Sequence, residues 1–343
     1  MNSERETLQG YLQSWAGSDV QRGSVAHAVD ALASACVKIS NLLALGSLAG
    51  PLGAVTGKQG EIDPQRELDV LANDQIIAAL TGGPVGLLIS EELDDPLVLR
   101  EGAPLIVAVD PLDGASNADT NAAIGTIFSV LPNTTHPAHL SLGTSQLAAG
   151  FAVYGPQTVL AVTLGAGTRI FTLNRQSGWF ETTAGDVSIP AHAAEFAVNA
   201  SNHWHWDEPI RTYVDDCLRG KDGPRGADTN MRWTGSFVAE IYRILVRGGV
   251  YLYPGDKRKG YANGRLRVVY EANPTAWVIE QAGGAASTGR GRILDVPALS
   301  WHQRTPIIIG SRQEVAYIER IHGDPHSLTE RSPLFGRRGL FRV

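Results

Sequence analysis

Two short apolar runs that each lead into carboxylates constrain this chain more than any other feature. Val85 to Ile89 and Leu105 to Val109 are strand-length and bounded by turn formers, so each reads as a buried strand. Glu91 and Glu92 follow the first run, and Asp110 and Asp113 follow the second. Acidic side chains at the carboxyl ends of buried strands stand where α/β sheets place their ligands.

The remaining periodicity fills in an α/β chain of the α+β kind. Val25, Val29, Leu32, Cys36, Ile39 and Leu43 recur at helical spacing, predicting a helix over 24–45 with Ser24 as N-cap and Gly46 as stop. Asp63-Pro64 reads as N-cap and first position of a second helix running to Leu80. Ile124 to Leu131 is a further strand, and Thr158 to Glu181 reads as a meander. A polar stretch, 185–192, places a boundary between sub-domains 1–190 and 191–343. Beyond it, helices are expected at 235–246 and 274–281, and strands at 250–253, 266–270 and 306–309. The sheets are expected to be mixed, and no Walker or dinucleotide-type glycine loop occurs.

Size and charge narrow the function. A chain of 343 residues suits about two sub-domains and buries enough surface to need no staples. A net charge of -6 argues against nucleic acid, which needs a concentrated basic face. The start MNSERETLQ lacks the basic and apolar regions of a signal peptide. No apolar run is read as reaching the ~20 residues of a membrane span. Cys36 and Cys217 alone make no disulfide framework. A cytoplasmic protein with no membrane partner is expected.

The acidic residues fall in three clusters, Asp63 with Asp69, Glu91 with Glu92, and Asp110 with Asp113. Without Cys or His at zinc spacing, carboxylates select hard cations, chiefly Mg²⁺ or Mn²⁺. Two such ions can clamp a phosphoryl group, so these residues point to metal-assisted phosphoryl or phosphodiester chemistry. The competing reading makes them helix caps and solvated strand ends. The His203-Trp-His-Trp206 run reads as a surface or interface aromatic patch rather than a metal site, for want of acidic partners at usable spacing.

Longer stretches carry a resemblance. LDVLAND (68–74), SEELD (90–94), DPLDGASN (110–117), IGTIFSV (124–130), AAGFAVYG (148–155), GGVYLYP (248–254), RLRVVYEANP (265–274), QAGGAASTG (281–289) and HQRTPIIIGS (302–311) stand in order along the chain. Together they resemble the class I fructose-1,6-bisphosphatase family, within the larger group of Mg²⁺-dependent, lithium-sensitive sugar and inositol phosphatases. The resemblance implies a layered αβαβα sandwich and a homotetramer. It implies two or three Mg²⁺ ions per subunit, with Mn²⁺ as a possible substitute. The substrate implied is a sugar bisphosphate, fructose 1,6-bisphosphate losing its 1-phosphate.

By position, the resemblance makes Glu91, Asp110, the carbonyl of Leu112, Asp113 and Glu271 metal ligands, with Asp63 approaching a further metal. Asp69 and Glu92 would activate the attacking water. Asp113 and the amides of Gly114, Ala115 and Ser116 would hold the 1-phosphate. Asn199, Tyr253 and Arg265 would meet the 6-phosphate, and Arg232 would cross a subunit interface to a neighbour's. The chain departs from the family at this end: Trp233 replaces a tyrosine, Arg265 a lysine, and Asn202 stands where a tyrosine or small polar residue is usual. Dual or preferential use of sedoheptulose 1,7-bisphosphate is therefore the alternative expectation, and a non-catalytic sugar-phosphate binder the remote one. The family's AMP site is altered: Ser18 to Gly23 stand in place of its Gly-Thr-Gly-Glu-like turn, with Arg22 able to supply one charge, Pro104-Leu105 in place of its Lys-Tyr pair and Pro132 in place of its arginine, and strong AMP inhibition is not expected. The cysteine-bearing insertion of the plastid enzymes is absent as well.

Overall fold

The computed structural model describes residues 5–49, 66–133 and 143–324. Its first sheet has eight strands. In spatial order these are β2 (Leu97–Val98), β1 (Val85–Ser90), β3 (Leu105–Asp113), β4 (Ile124–Pro132), β5 (Ala148–Tyr154), β6 (Thr158–Thr163), β7 (Thr168–Asn174) and β8 (Trp179–Ala184). Only β1 and β3 run parallel; every other neighbouring pair is antiparallel. A five-stranded mixed sheet has the order β10 (Asn230–Met231), β9 (Glu195–Ala197), β11 (Val250–Tyr253), β15 (Ile307–Gly310), β13 (Ala285–Ser287). A small ribbon pairs β12 (Leu266–Arg267) with β14 (Arg304–Thr305).

Strand alternation shows how the layers stack. Phe128, Val130, Ala148 and Ala152 face a core shared with α1 (Leu8–Ala16), α2 (Val20–Leu45) and α3 (Glu67–Leu80). Their neighbours Ile127, Ala149, Phe151 and Val153 point to the opposite side. There they meet Phe237, Ile241 and Ile244 of α5 (Phe237–Arg247) and Ala276 and Ile279 of α6 (Asn273–Gln281). The second sheet repeats the pattern. Tyr251, Ile307 and Ile309 share the α5–α6 core. Val250, Leu252 and Ile308 pack against α4 (Glu208–Leu218) and α7 (Arg312–Gly323). The result is five layers, αβαβα with mixed sheets, as the resemblance implied.

Several local expectations are corrected. Helix α2 starts at Val20, capped by Asp19, whose side chain accepts the Arg22 N–H. Ser24 lies inside it, its hydroxyl bonded back to the Val20 carbonyl. The second helix starts at Glu67 rather than Asp63; Arg66 is its N-cap, and Asp63 lies outside the described residues. The expected strand 266–270 pairs only through Arg267, because Val268–Ala272 coil into a π-helical turn. Helices α1, α4 and α7 were not anticipated; their apolar faces are short and interrupted by polar residues. In the His-Trp run, Trp206 is buried while Trp204 and His205 are exposed. His203 does have an acidic partner in space, Asp215 at 3.1 Å.

Helix α2 also corrects the expectation about apolar runs. It is the one helix, among the described residues, long and apolar enough to cross a membrane by length and composition. Here Val25, Val29, Leu32, Cys36 and Ile39 are spent on the first core.

Gly125 on β4 is a sharp packing constraint beside the strand-end carboxylates. A Cβ there would lie 2.0 Å from the Ala152 carbonyl oxygen and 2.7 Å from a Val238 methyl. Backbone cannot yield that much without parting β4 from β5. Gly125→Ala is expected to cost about 3 kcal/mol, read as a lower urea midpoint at unchanged slope.

Candidate active site

The parallel pairing of β1 with β3 sets the two acidic strand ends side by side. Glu91 donates its N–H to the Val109 carbonyl at 3.1 Å, which fixes the chain as it leaves β1. Strand β3 runs on past the expected Val109 to Asp113, so Asp110 and Asp113 lie within it. In a regular strand residues three apart face opposite sides. Here Asp110 pairs opposite Ile127 and Asp113 opposite Gly125, three steps against two. This bulge lets residues three apart turn toward one side of the strand. Pro111 sits inside it, where a missing N–H costs no ladder bond. Leu112 donates its N–H to Asp110 Oδ1 at 2.9 Å.

Glu271 arrives from the other half of the chain. The π-helical turn inserts one extra residue per turn just before α6, a device common at functional sites. Its result is that single ligand oxygens of Glu91, Asp110 and Glu271 all lie within 4.8 Å of one another. Arg267 braces the group: its guanidinium meets Glu91 Oε1 at 2.8 Å, and its N–H donates to Glu271 Oε2. Burial, then the neighbouring charge of Glu91, push the Asp110 and Glu271 carboxyls well above the carboxylate range. Asp113 stands beside this trio with a second task. Its Oδ2 accepts the Val238 N–H at 2.9 Å and faces the Ser236 hydroxyl at 3.4 Å, tying α5 to the site. Burial raises its pKa to about 7 against those lowering bonds.

Three crowded carboxyls with only oxygen donors, two of them held against ionisation by burial and by the charge of Glu91, suit a hard divalent cation, which would neutralise them. The residues present therefore fit such an ion.

Asp69 and Glu92, expected from the sequence to activate water, stand on α3 and just past β1, two elements that hydrogen bonds tie together. Asp69 is buried in the first turn of α3, where Oδ2 accepts the Arg66 N–H at 2.8 Å. One turn on, Asn73 bonds the Ser90 hydroxyl at 2.8 Å. Ser90 in turn accepts the Glu92 N–H at 3.3 Å. Residues four apart on a helix share a face, so Asp69 lies on the side of α3 that Asn73 turns toward β1. Gly114, left-handed at φ 76°, then turns the chain into a short 3₁₀ helix over Ala115–Thr120. A Cβ on Gly114 would crowd Ser236 at 3.2 Å. The Gly114 carbonyl accepts the Asn117 N–H, so the amides of Ala115 and Ser116 precede the first bond of that turn.

A small pocket of about 10 Å³, room for roughly one water, is lined by Asn199, Asn202, Tyr253 and Arg265, together with Asp256, Arg258 and Tyr261. The last three were missed: they sit on a loop that sequence alone shows only as polar. Arg267 was missed too, its i−4 relation to Glu271 hidden by the expected strand. Arg232 does not line this cavity; it is half-exposed and paired with Glu195 at 3.3 Å. Trp233 stacks on Tyr251 at 5.9 Å and meets Tyr253 edge-on at 6.2 Å, so it acts as packing beneath the cavity.

The αβαβα layers, with a carboxylate-only cluster where strand ends meet a π-helical turn, define a divalent-metal phosphatase of the sugar-phosphatase class. The chain belongs to the fructose-1,6-bisphosphatase family. Residues 15–184 match the family model for the fructose-1,6-bisphosphatase N-terminal domain, and residues 189–323 match that for the C-terminal domain. It is 53% identical to a class 1 fructose-1,6-bisphosphatase of Rhodopseudomonas palustris (strain BisB18), over 98% of each chain. One from Nitrobacter hamburgensis is also 53% identical, over 99% of this chain and all of that one. The holo-form crystal structure of the Leishmania major fructose-1,6-bisphosphatase superposes with a TM-score of 0.86 at 32% identity, covering 94% of this chain and 100% of that one. Membership makes the chain a hydrolase of carbohydrate metabolism that depends on a divalent metal and acts on a sugar bisphosphate.

Proposed function

We propose that the protein hydrolyses the 1-phosphate of D-fructose 1,6-bisphosphate to D-fructose 6-phosphate and phosphate, with Mg²⁺ as working cation and Mn²⁺ as substitute. The observation that carries this is the convergence of Glu91, Asp110 and Glu271 on the same chain that supplies the Asn199–Tyr253–Arg265 cavity. Two or three ions per subunit would be held by Glu91, Asp110, the Leu112 carbonyl, Asp113 and Glu271, with Asp63 as a further ligand. When bound, they would neutralise phosphoryl charge and the developing charge on the leaving oxygen. Asp69 and Glu92 take the proton of the attacking water. The amides of Gly114 to Ser116, with Asp113 fixing their turn, orient the 1-phosphate. Asn199, Tyr253 and Arg265 hold the 6-phosphate. The test is phosphate release in Mg²⁺ buffer; absence of turnover with both fructose 1,6- and sedoheptulose 1,7-bisphosphate would sink the assignment.

Arg265, a broader cation than the lysine usual there, favours a second reading in which sedoheptulose 1,7-bisphosphate is an equal or better substrate. Comparing kcat/KM for the two decides between them. A non-catalytic binder is disfavoured, because Asp69, Glu91, Glu92, Asp110, Asp113 and Glu271 are all present.

The working form is proposed to be a cytoplasmic homotetramer in which Arg232 serves the neighbour's distal phosphate. Its position outside its own chain's cavity, half-exposed, supports this. Arg232→Ala is expected to raise KM about tenfold and change kcat little. An unchanged KM, or an active monomer by light scattering, overturns that role.

AMP at micromolar levels is expected not to inhibit. The α2 N-terminus is already taken by its own Asp19 carboxylate, 2.8 Å from the Arg22 amide, and a phosphate brought there would be repelled. Inhibition that disappears in an Arg22→Ala variant would show a nucleotide site rebuilt at that helix.

A further inference from the structure

We infer that Tyr261 is a positioning residue for the distal phosphate, holding Arg265 in place and thereby setting how the site ranks bisphosphates of different length. This rests on the proposed function.

The loop between β11 and β12 is folded back on Tyr261. The Tyr261 carbonyl accepts the N–H groups of both Asp256 and Gly264 at 3.0 Å, and its own N–H donates to Arg258 at 3.1 Å. Lys257 fastens the loop to the His205 carbonyl at 3.1 Å. Gly264 seats it on β14 at φ 74°, where a Cβ would lie 2.3 Å from the Thr305 carbonyl.

Two guanidinium groups lie over the Tyr261 ring, and they differ. Arg258 is 4.5 Å from its centroid, but its charge is spent on Asp256, which it grips through both Nε and Nη2. Arg265 lies 5.2 Å from Tyr261 and 6.0 Å from Tyr253, and among the described residues no carboxylate pairs with it. Asp256, which also lines the cavity, is neutralised by Arg258, so the uncompensated charge facing a ligand is that of Arg265. A guanidinium stacks on an aromatic face far better than an ammonium. The replacement of lysine by Arg265 and the presence of Tyr261 therefore fit one device. Two residues beyond Arg265, Arg267 holds Glu91 and Glu271. A two-residue span of chain thus joins the distal-phosphate cation to the brace of the metal cluster, and so short a span can discriminate length.

The test compares Tyr261→Leu, Tyr261→Phe and Asp256→Asn. For Tyr261→Leu, KM for fructose 1,6-bisphosphate should rise about tenfold with kcat within about twofold. The ratio of kcat/KM between fructose and sedoheptulose bisphosphates should shift at least about threefold. Fructose 6-phosphate binding, measured by calorimetry in EDTA, should weaken by the same factor. Tyr261→Phe keeps the ring and should stay within about twofold of wild type. Asp256→Asn, which leaves the Arg258 guanidinium uncompensated beside the ring, should lower KM about threefold. Wild-type KM and fructose 6-phosphate affinity in Tyr261→Leu would overturn the inference. So would a Tyr261→Phe variant as impaired as Tyr261→Leu, since the hydroxyl and not the ring would then be at work. A wild-type protein that turns over neither bisphosphate sinks the proposed function instead.

Discussion

Glu271→Gln is expected to lower kcat/KM by at least about a thousandfold while raising the melting temperature of the metal-free protein. The two effects have one cause. Glu271 is buried beside Asp110 and Glu91, and both burial and the Glu91 charge oppose its ionisation. The amide keeps the shape, and its oxygen can go on accepting the Arg267 N–H. Its NH₂ must then face the cluster, presenting a donor where a cation needs an acceptor. Binding of a divalent ion suffers, and high Mn²⁺ should restore turnover only in part. Without the ion, one fewer buried charge repels its neighbours, so the metal-free fold gains. Loss through misfolding would move both readings downward, so calorimetry in EDTA beside steady-state kinetics separates the explanations. Near-native turnover would remove Glu271 from the ligand set. Asp113→Asn should lose comparable activity but gain less stability, because Asp113 also anchors the Val238 N–H.

How legible this was from sequence depended on range. Continuous apolar strands ending in carboxylates are a local pattern, and β1, β3 and β4 with Glu91, Glu92, Asp110 and Asp113 could be placed from it. Glu271 could be assigned only through its family stretch. The π-helical turn that delivers it is made of Val268, Val269 and Tyr270, whose apolar run has the composition of a strand and reads as one. The bulge at Pro111 was invisible for a different reason: a two-against-three register exists only once β4 is paired. Helices α4 and α7 bury single stripes, such as Ile210–Val214 and Val315–Ile318, against a sheet that lies elsewhere in the sequence. Their signal is weak until that sheet exists. The Asp256–Arg258–Tyr261 bracket looked like any charged loop, since ion pairs two residues apart and stacked guanidinium groups have no periodicity to detect.

The metal-free protein should lose stability as pH rises from about 4 to 8, and divalent cation should reverse the loss. Asp113 carries the argument because burial pushes its folded pKa up to about 7 from an ordinary 3.8, with Asp110 and Glu271 shifted the same way. An acid whose folded pKa is raised binds its proton more tightly folded than unfolded. Its favourable contribution is therefore complete below the unfolded value and disappears as pH climbs through the folded one. A shift of this size corresponds to something on the order of 4 kcal/mol for Asp113, or a fall in melting temperature on the order of 5–10 °C across the window. This is opposite in sign to the half-buried Glu195, where desolvation raises the pKa but the pairs with Arg243 and Arg232 outweigh it and hold the carboxyl below its usual value. Groups of that kind favour the fold above the unfolded pKa and fail only in acid. Saturating Mg²⁺ should displace the extra protons, so its stabilising effect grows with pH and proton release appears as a buffer-dependent binding enthalpy. A melting temperature in EDTA that is flat or rising from pH 5 to 8, or Mg²⁺ binding without proton release, would mean that these carboxyls are already ionised in the folded chain. The cluster would then be a set of braced strand ends rather than a site waiting for a cation.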